Sequence, residues 1–161
     1  VDILKDGSLD YPDAVLEQLH VVVGAIHSSF KLPEKVQTKR VLSALSHPLL
    51  DILAHPSCRL IGKREQLHVD HTKVFDAGDA NKKVLEINCQ PNRMDLQDGY
   101  IFQAAKSGIK FCISTDAHHT SELAFAEYGV GLARRGWLTR KDVINTGTLM
   151  QLRKHLPRIP K

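Results

Sequence analysis

Short apolar runs alternate along the chain with longer amphipathic stretches. The runs are Val21–Ile26, Asp51–Ala54, Val84–Ile87 and Ile109–Ser114, rich in Val and Ile. They lack the polar alternation of half-exposed strands, so they predict strands covered on both faces. Val1–Leu4 is a fifth run of the same kind, expected to be cut at its start. Helices are predicted between the runs, over Pro12–Leu19, Pro33–Ser46, Asp70–Asn81, Leu96–Ser107, Leu123–Arg135, Thr139–Asn145 and Leu149–Leu156. Their ends carry recognisable signals. Pro12 suits a first turn, Gly108 suits a stop after Ser107, and Thr139 with Asp142 has the spacing of a capping box.

Strands separated by helices of this length imply βαβ units and a parallel sheet. About five units of roughly 30 residues each would fill the chain. A whole (β/α)8 barrel needs about 250 residues and does not fit into 161. Residues 1–156 read as one domain, and Pro157-Arg158-Ile159-Pro160-Lys161 as a tail.

Composition narrows the class. Hydrophobic residues make up 42% and charged residues 25%, as in an ordered globular domain. No apolar run approaches the ~20 residues of a bilayer-spanning helix, so a membrane role is not expected and a cytoplasmic location is. The first residues, Val1-Asp2-Ile3-Leu4-Lys5-Asp6, lack an initiator Met and any leader pattern, and read as the interior of a longer protein. The net charge of +4 permits a polyanionic partner without demanding one. Its basic clusters, around Arg59-Lys63-Arg64 and from Arg134 to Lys161, equally suit a solvated face. Cys58, Cys89 and Cys112 form no CxxC pair, which argues against a disulfide scaffold or a Cys-based zinc site.

The candidate chemistry is positional. His27 follows the run Val21–Ile26, His55 follows Asp51–Ala54, Asn88 follows Val84–Ile87, and Asp116 and His118 follow Ile109–Ser114. In parallel α/β architectures the carboxyl edge of the sheet is where ligands and catalytic groups gather. A single strand-end His is often a structural hydrogen-bonder. Together with Asp116-Ala117-His118, however, His27 and His55 make a donor set suited to Zn, Mn or Fe. His119 should point elsewhere. His20, His47, His68, His71 and His155 read as structural. Arg93 and Arg59 could bind phosphate through the planar guanidinium fork; alternatively Arg93 pairs locally with Asp95 and Arg59 is a solvated loop charge. Neither a phosphate-binding glycine loop nor a Ser or Cys nucleophile motif is present. Tyr128 and Trp137 read as core aromatics rather than base-stacking platforms.

At these residues the sequence resembles the PHP (polymerase and histidinol phosphatase) domain, more narrowly the one at the C-terminus of bacterial family X DNA polymerases. The matching stretches are Val1–Leu4 with Asp6–Tyr11, Val23–Ser28, Asp51–Pro56 with Arg59-Leu60, and Leu85–Asn88 with Arg93–Leu96. Ser114–His118 and Tyr128–Leu138 complete them. The resemblance implies a distorted (β/α)7 TIM-like barrel, here incomplete, with up to three metal ions, usually manganese or zinc. It maps His27, His55, Asp116 and His118 onto metal ligands, and Asp116 and His118 onto catalysis. It implies a metal-dependent phosphoesterase acting on DNA 3′ ends, of the 3′–5′ exonuclease type, covalently linked to polymerase domains upstream. A histidinol-phosphatase-like activity on small phosphomonoesters and a non-catalytic scaffold are the rivals.

Two departures qualify it. The family's His-x-His pair, further histidines and bridging Glu precede the position of Val1. Cys58 also stands where a small residue, often Gly, is expected. A chain beginning at Val1 is thus expected to hold fewer metal ions or none, and to associate through open strand edges.

Overall fold

The computed structural model describes residues 1–160. Strands β1 (Val23–Gly24), β2 (Ile52–Leu53), β3 (Val84–Asn88) and β4 (Lys110–Ser114) form a parallel sheet in the order β1-β2-β3-β4. Helices α1 (Asp13–Leu16), α2 (Glu34–Ser46), α3 (His71–Ala80), α4 (Asp98–Lys106), α5 (Ala126–Arg135) and α6 (Leu149–His155) lie between and after them. Each predicted strand is present, with β1 and β2 reduced to two residues. Burial on both faces holds throughout β2 and β3, whereas Val23 of β1 is exposed. The run Val1–Leu4 contributes a single parallel bridge, Asp2 to Ala25, outside β1. This α/β sheet is consistent with part of a TIM-like fold, but among the described residues no barrel closure is seen.

One predicted helix is replaced by something else. Over Thr139–Asn145 the Asp142 carboxylate accepts from Thr139 N (2.9 Å) and Oγ1 (2.7 Å), the local contact that the spacing suggested. No α-helix follows, because the Asp142 carbonyl accepts from Phe111 N (2.9 Å) and Val143 bridges Phe111 in parallel. The unpaired edge of β4 thereby captures the segment. Only a short 3-10 turn, Ile144–Thr146, comes next. The complete capping box lies further on, where Thr148 and Gln151 satisfy each other's backbone at the start of α6. Likewise the predicted helix at Leu123–Arg135 begins as a 3-10 turn, Thr120–Phe125, before α5.

The main core joins Ile3, Leu45, Leu53, Phe75, Leu85 and Phe111 with their neighbours. A smaller cluster of Ile52, Val84, Cys112, Ile144 and Leu156 sits beside it, packed by Leu152 and Ile159. Ile159 and Arg158, from the expected tail, therefore lie against the domain, and Arg158 Nη2 donates to the Leu49 carbonyl (2.7 Å). Lys161 lies outside the described residues. Gly129 lets α5 approach the sheet closely: a Cβ there would come within 2.3 Å of Cys89 Sγ and 2.7 Å of Ile113. No helix is long and apolar enough to cross a membrane among the described residues.

Candidate active site

The strand ends converge as the alternation predicts. His55 leaves β2 on a left-handed backbone (φ 64°) and is buried. Its ring lies edge-on to that of His27, with centroids 5.2 Å apart. Burial, then Arg93 and His27, hold the His55 imidazole neutral by lowering its pKa to about 4, against an opposing pull from Asp116. Neutral imidazole is the form that can ligate a metal.

Asp116, also left-handed (φ 51°), sits after β4. Its Oδ2 accepts from Asn88 Nδ2 (3.0 Å) and lies 3.6 Å from Arg93 Nε. Asn88 Nδ2 also reaches Glu86 Oε2 (3.1 Å), so one amide ties two carboxyl groups together. Glu86 and Asn88 are two residues apart on β3 and share a face. Glu86, an acid within an otherwise apolar run that brings polar groups to this edge, has no role among the residues the sequence singles out, yet it joins the network. Burial pushes its pKa up to about 7, with hydrogen bonds from Asn88 and Ser114 opposing. Gln90 extends the network, donating to the Asp116 carbonyl (3.0 Å) and to Glu122 (3.0 Å), which in turn accepts from His118 N (2.7 Å). His118 is exposed and turns Nδ1 to the Asp116 carbonyl (2.7 Å).

The two arginines part company. Arg93 pairs with Asp116, not with Asp95, and its Nη1 is buried without a partner among the described residues. Arg59 spends Nε on the Arg93 carbonyl (2.6 Å) and Nη2 on the Met94 carbonyl (2.5 Å), so it braces the loop that carries Arg93. Asp95 is fully buried beneath it and accepts from Ser57 N (3.1 Å); burial raises its pKa to about 6. Cys58 has φ 53°, the left-handed conformation in which Gly is favoured, which accounts for the expectation of a small residue there. Its thiol is buried and pushed up to about 12, so it acts as a small core side chain. His55, Cys58, Asp116 and Met94 (φ 44°), none of them glycine, thus hold left-handed backbone at this edge. Such strain clusters at functional sites.

Three of the other histidines have structural contacts, whereas His20, His68 and His155 are exposed. His71 stacks on Tyr100, with centroids 3.9 Å apart, and His47 caps α2 and meets Asp13 (3.2 Å). His119 caps the 3-10 turn. Trp137 is 80% exposed and Tyr128 is exposed as well, so neither is the core aromatic that the sequence predicts.

The donor types fit a borderline divalent metal, and His27 and His55 stand side by side. No group of three or more His, Cys, Asp or Glu side chains is placed to hold an ion among the described residues. His27 and His55 stand as one pair at this edge, and Asp116 and His118 as another.

The chain is homologous to proteins of two kinds. It is 39% identical over 158 residues to the DNA polymerase/3′-5′ exonuclease PolX of Bacillus subtilis, covering 98% of this chain and 28% of that protein. It is 25% identical over 151 residues to a probable phosphatase of Thermoanaerobacter sp. (88% of this chain, 59% of that protein). A probable phosphatase of Acetivibrio thermocellus is 26% identical over 124 residues, covering 73% of this chain and 49% of that protein. The chain thus spans a little over a quarter of the polymerase and about half the length of the phosphatases. No family model matches it.

Proposed function

We propose that the chain is part of a PHP-type domain and serves, within a longer protein, as a metal-dependent phosphoesterase module acting on DNA 3′ ends. One observation carries the reading. Four successive parallel strands end in His27, His55, Asn88 and the Asp116–His118 pair, in a chain 39% identical to a polymerase/3′-5′ exonuclease. His27, His55, Asp116 and His118 would hold manganese or zinc, together with donors from outside this chain. When bound, such an ion supplies Lewis acidity, activating a water and offsetting charge on phosphate oxygens.

The chain's own residues prepare the rest. Asn88 and Arg93 orient the Asp116 carboxylate. The unpartnered Nη1 of Arg93 is free to donate to a phosphate oxygen. Arg59 contributes indirectly, by fixing the Arg93 loop. DNA and the linked polymerase domains are the partners in this reading. A small-molecule phosphatase is the second reading, favoured by the phosphatases among the relatives.

The test uses the intact longer protein. His55→Ala and Asp116→Ala, each shown to be folded by circular dichroism, are assayed on end-labelled DNA and on a small phosphomonoester with manganese present. Loss of 3′-end hydrolysis beyond the roughly 10–100-fold expected of an outer-shell change supports the assignment. Full activity in either variant overturns it. Turnover of the phosphomonoester but not of DNA by the unmodified protein selects the second reading.

A further inference from the structure

We infer that Asp2 is a positioning residue: its carboxylate fixes His27 as the Nδ1–H tautomer and makes Nε2 the nitrogen presented to the site. Asp2 Oδ1 lies 2.5 Å from His27 Nδ1. A carboxylate can only accept, so the ring must donate from Nδ1, and in its neutral form it keeps its lone pair on Nε2. That ring is the one set edge-on to His55.

Asp2 is itself held in place. Its N–H donates to Asp10 Oδ1 (2.8 Å) and its carbonyl accepts from Asp10 N (3.0 Å). The parallel bridge to Ala25 then sets Asp2 level with the end of β1, two residues before His27. The side chains of His27 and Asp2 are 52% and 46% exposed. Water could satisfy either one, so burial does not require the contact; its consequence is orientation.

The same logic applies independently at the other half of the site. His118 Nδ1 is 2.7 Å from the Asp116 carbonyl, which also only accepts, so His118 too carries its lone pair on Nε2. The adjacent histidine is an internal contrast. His119 Nδ1 accepts from Ser121 N (3.3 Å) and lies 2.8 Å from Ser121 Oγ, whose hydroxyl can donate to it as well, so the Nε2–H tautomer meets both contacts. Two histidines assigned to the site and one capping histidine thus carry opposite tautomers. A buttressed imidazole of this kind is how proteins orient a metal-ligating His. The purpose assigned to Asp2 rests on the metal-dependent reading above; the tautomers do not.

Long-range 1H–15N correlation spectra of the 15N-histidine-labelled 161-residue chain, in chelator at pH 8, read each tautomer directly. His27 and His118 are expected as Nδ1–H and His119 as Nε2–H. Asp2→Ala should move His27 to Nε2–H and leave His118 unchanged, whereas Asp2→Asn, whose amide oxygen still accepts, should keep His27 as it is. Zinc titration of the same samples should show affinity falling roughly 10–100-fold in Asp2→Ala and largely recovering in Asp2→Asn. An Nε2–H or doubly protonated His27 in the parent chain overturns the inference, as does a His27 tautomer unmoved by Asp2→Ala. Tautomers as expected with no zinc uptake by this chain or by the intact longer protein would keep Asp2 as the residue that orients His27 and remove the metal reading instead.

Discussion

At the amino ends of the strands, Lys83 gives its ammonium to the carbonyls of Leu50 (2.7 Å) and His47 (2.9 Å), and Arg158 pairs with Asp51. At the carboxyl ends, Glu86, Asp95 and His55 are buried where their charged forms are disfavoured. Ser57 Oγ, Asp95 Oδ2 and Arg93 Nη1 have no hydrogen-bond partner there, against Arg158 Nε at the amino end. Both ends take ionisable groups out of water, yet only the amino end surrounds its lysine with fixed acceptors. The contrast separates polar burial that ties elements together from polar burial that leaves groups poised. The four left-handed residues at the carboxyl end belong to the same pattern, since strained backbone persists where the surrounding structure holds a functional geometry in place.

Stability measurements can sharpen or break this comparison. The largest effect is expected at Glu86. Its folded pKa, about 7, lies above the ordinary value of 4.5, so the folded state holds the proton more tightly. The associated stability is complete below about pH 4.5 and is lost as pH rises through 7. Glu86→Gln should abolish that loss. In urea unfolding it should match the parent at pH 4 and exceed it by up to about 3 kcal/mol at pH 8. His55 works in the opposite sense, losing stability as pH falls from 6.5 toward 4. The comparison must therefore be made between variant and parent at each pH. A pH-independent difference would mean that Glu86 is not poised.

A smaller effect, of opposite sign, is expected at the amino end. Lys83→Met leaves the His47 and Leu50 carbonyls without their donor and should cost about 2 kcal/mol. Because Lys83 lies at the far end of β3, zinc affinity should be unchanged; a matching loss of zinc affinity would show that the two ends are coupled. The smallest effect is at Thr148. Its capping box starts α6, whose Leu152 packs on the smaller cluster beneath the amino end. Thr148→Ala should lower stability by about 1 kcal/mol, read as a shift in the urea midpoint with an unchanged slope.

Much of this fold is legible in the sequence. Four Val- and Ile-rich runs became four parallel strands, because a run without polar alternation is stable only with both faces covered. The site was legible in outline for the same reason: residues that directly follow such runs must emerge at one edge of a parallel sheet, and His27, His55, Asn88 and Asp116 do. Arg59 was harder to place. Nothing in its local sequence indicates that its guanidinium is consumed by the carbonyls of Arg93 and Met94, more than thirty positions away.

What the sequence determined by itself was local and periodic. It set the strands, most of the helices, and the order in which imidazole and carboxylate groups arrive at one edge. What the tertiary structure decided was every property that depends on a distant neighbour. Val143 became extended because β4 offered an unpaired edge, and a strand edge outweighs a short helix with a single side-chain cap. Glu86 became a proton-holding acid because the packed sheet excludes water around it. The His27 tautomer was set by Asp2, which the isolated bridge to Ala25 brings beside it. Spacing along a chain fixes which residues share a face, whereas protonation and hydrogen-bond direction depend on dielectric and on partners that only the packed fold brings within reach.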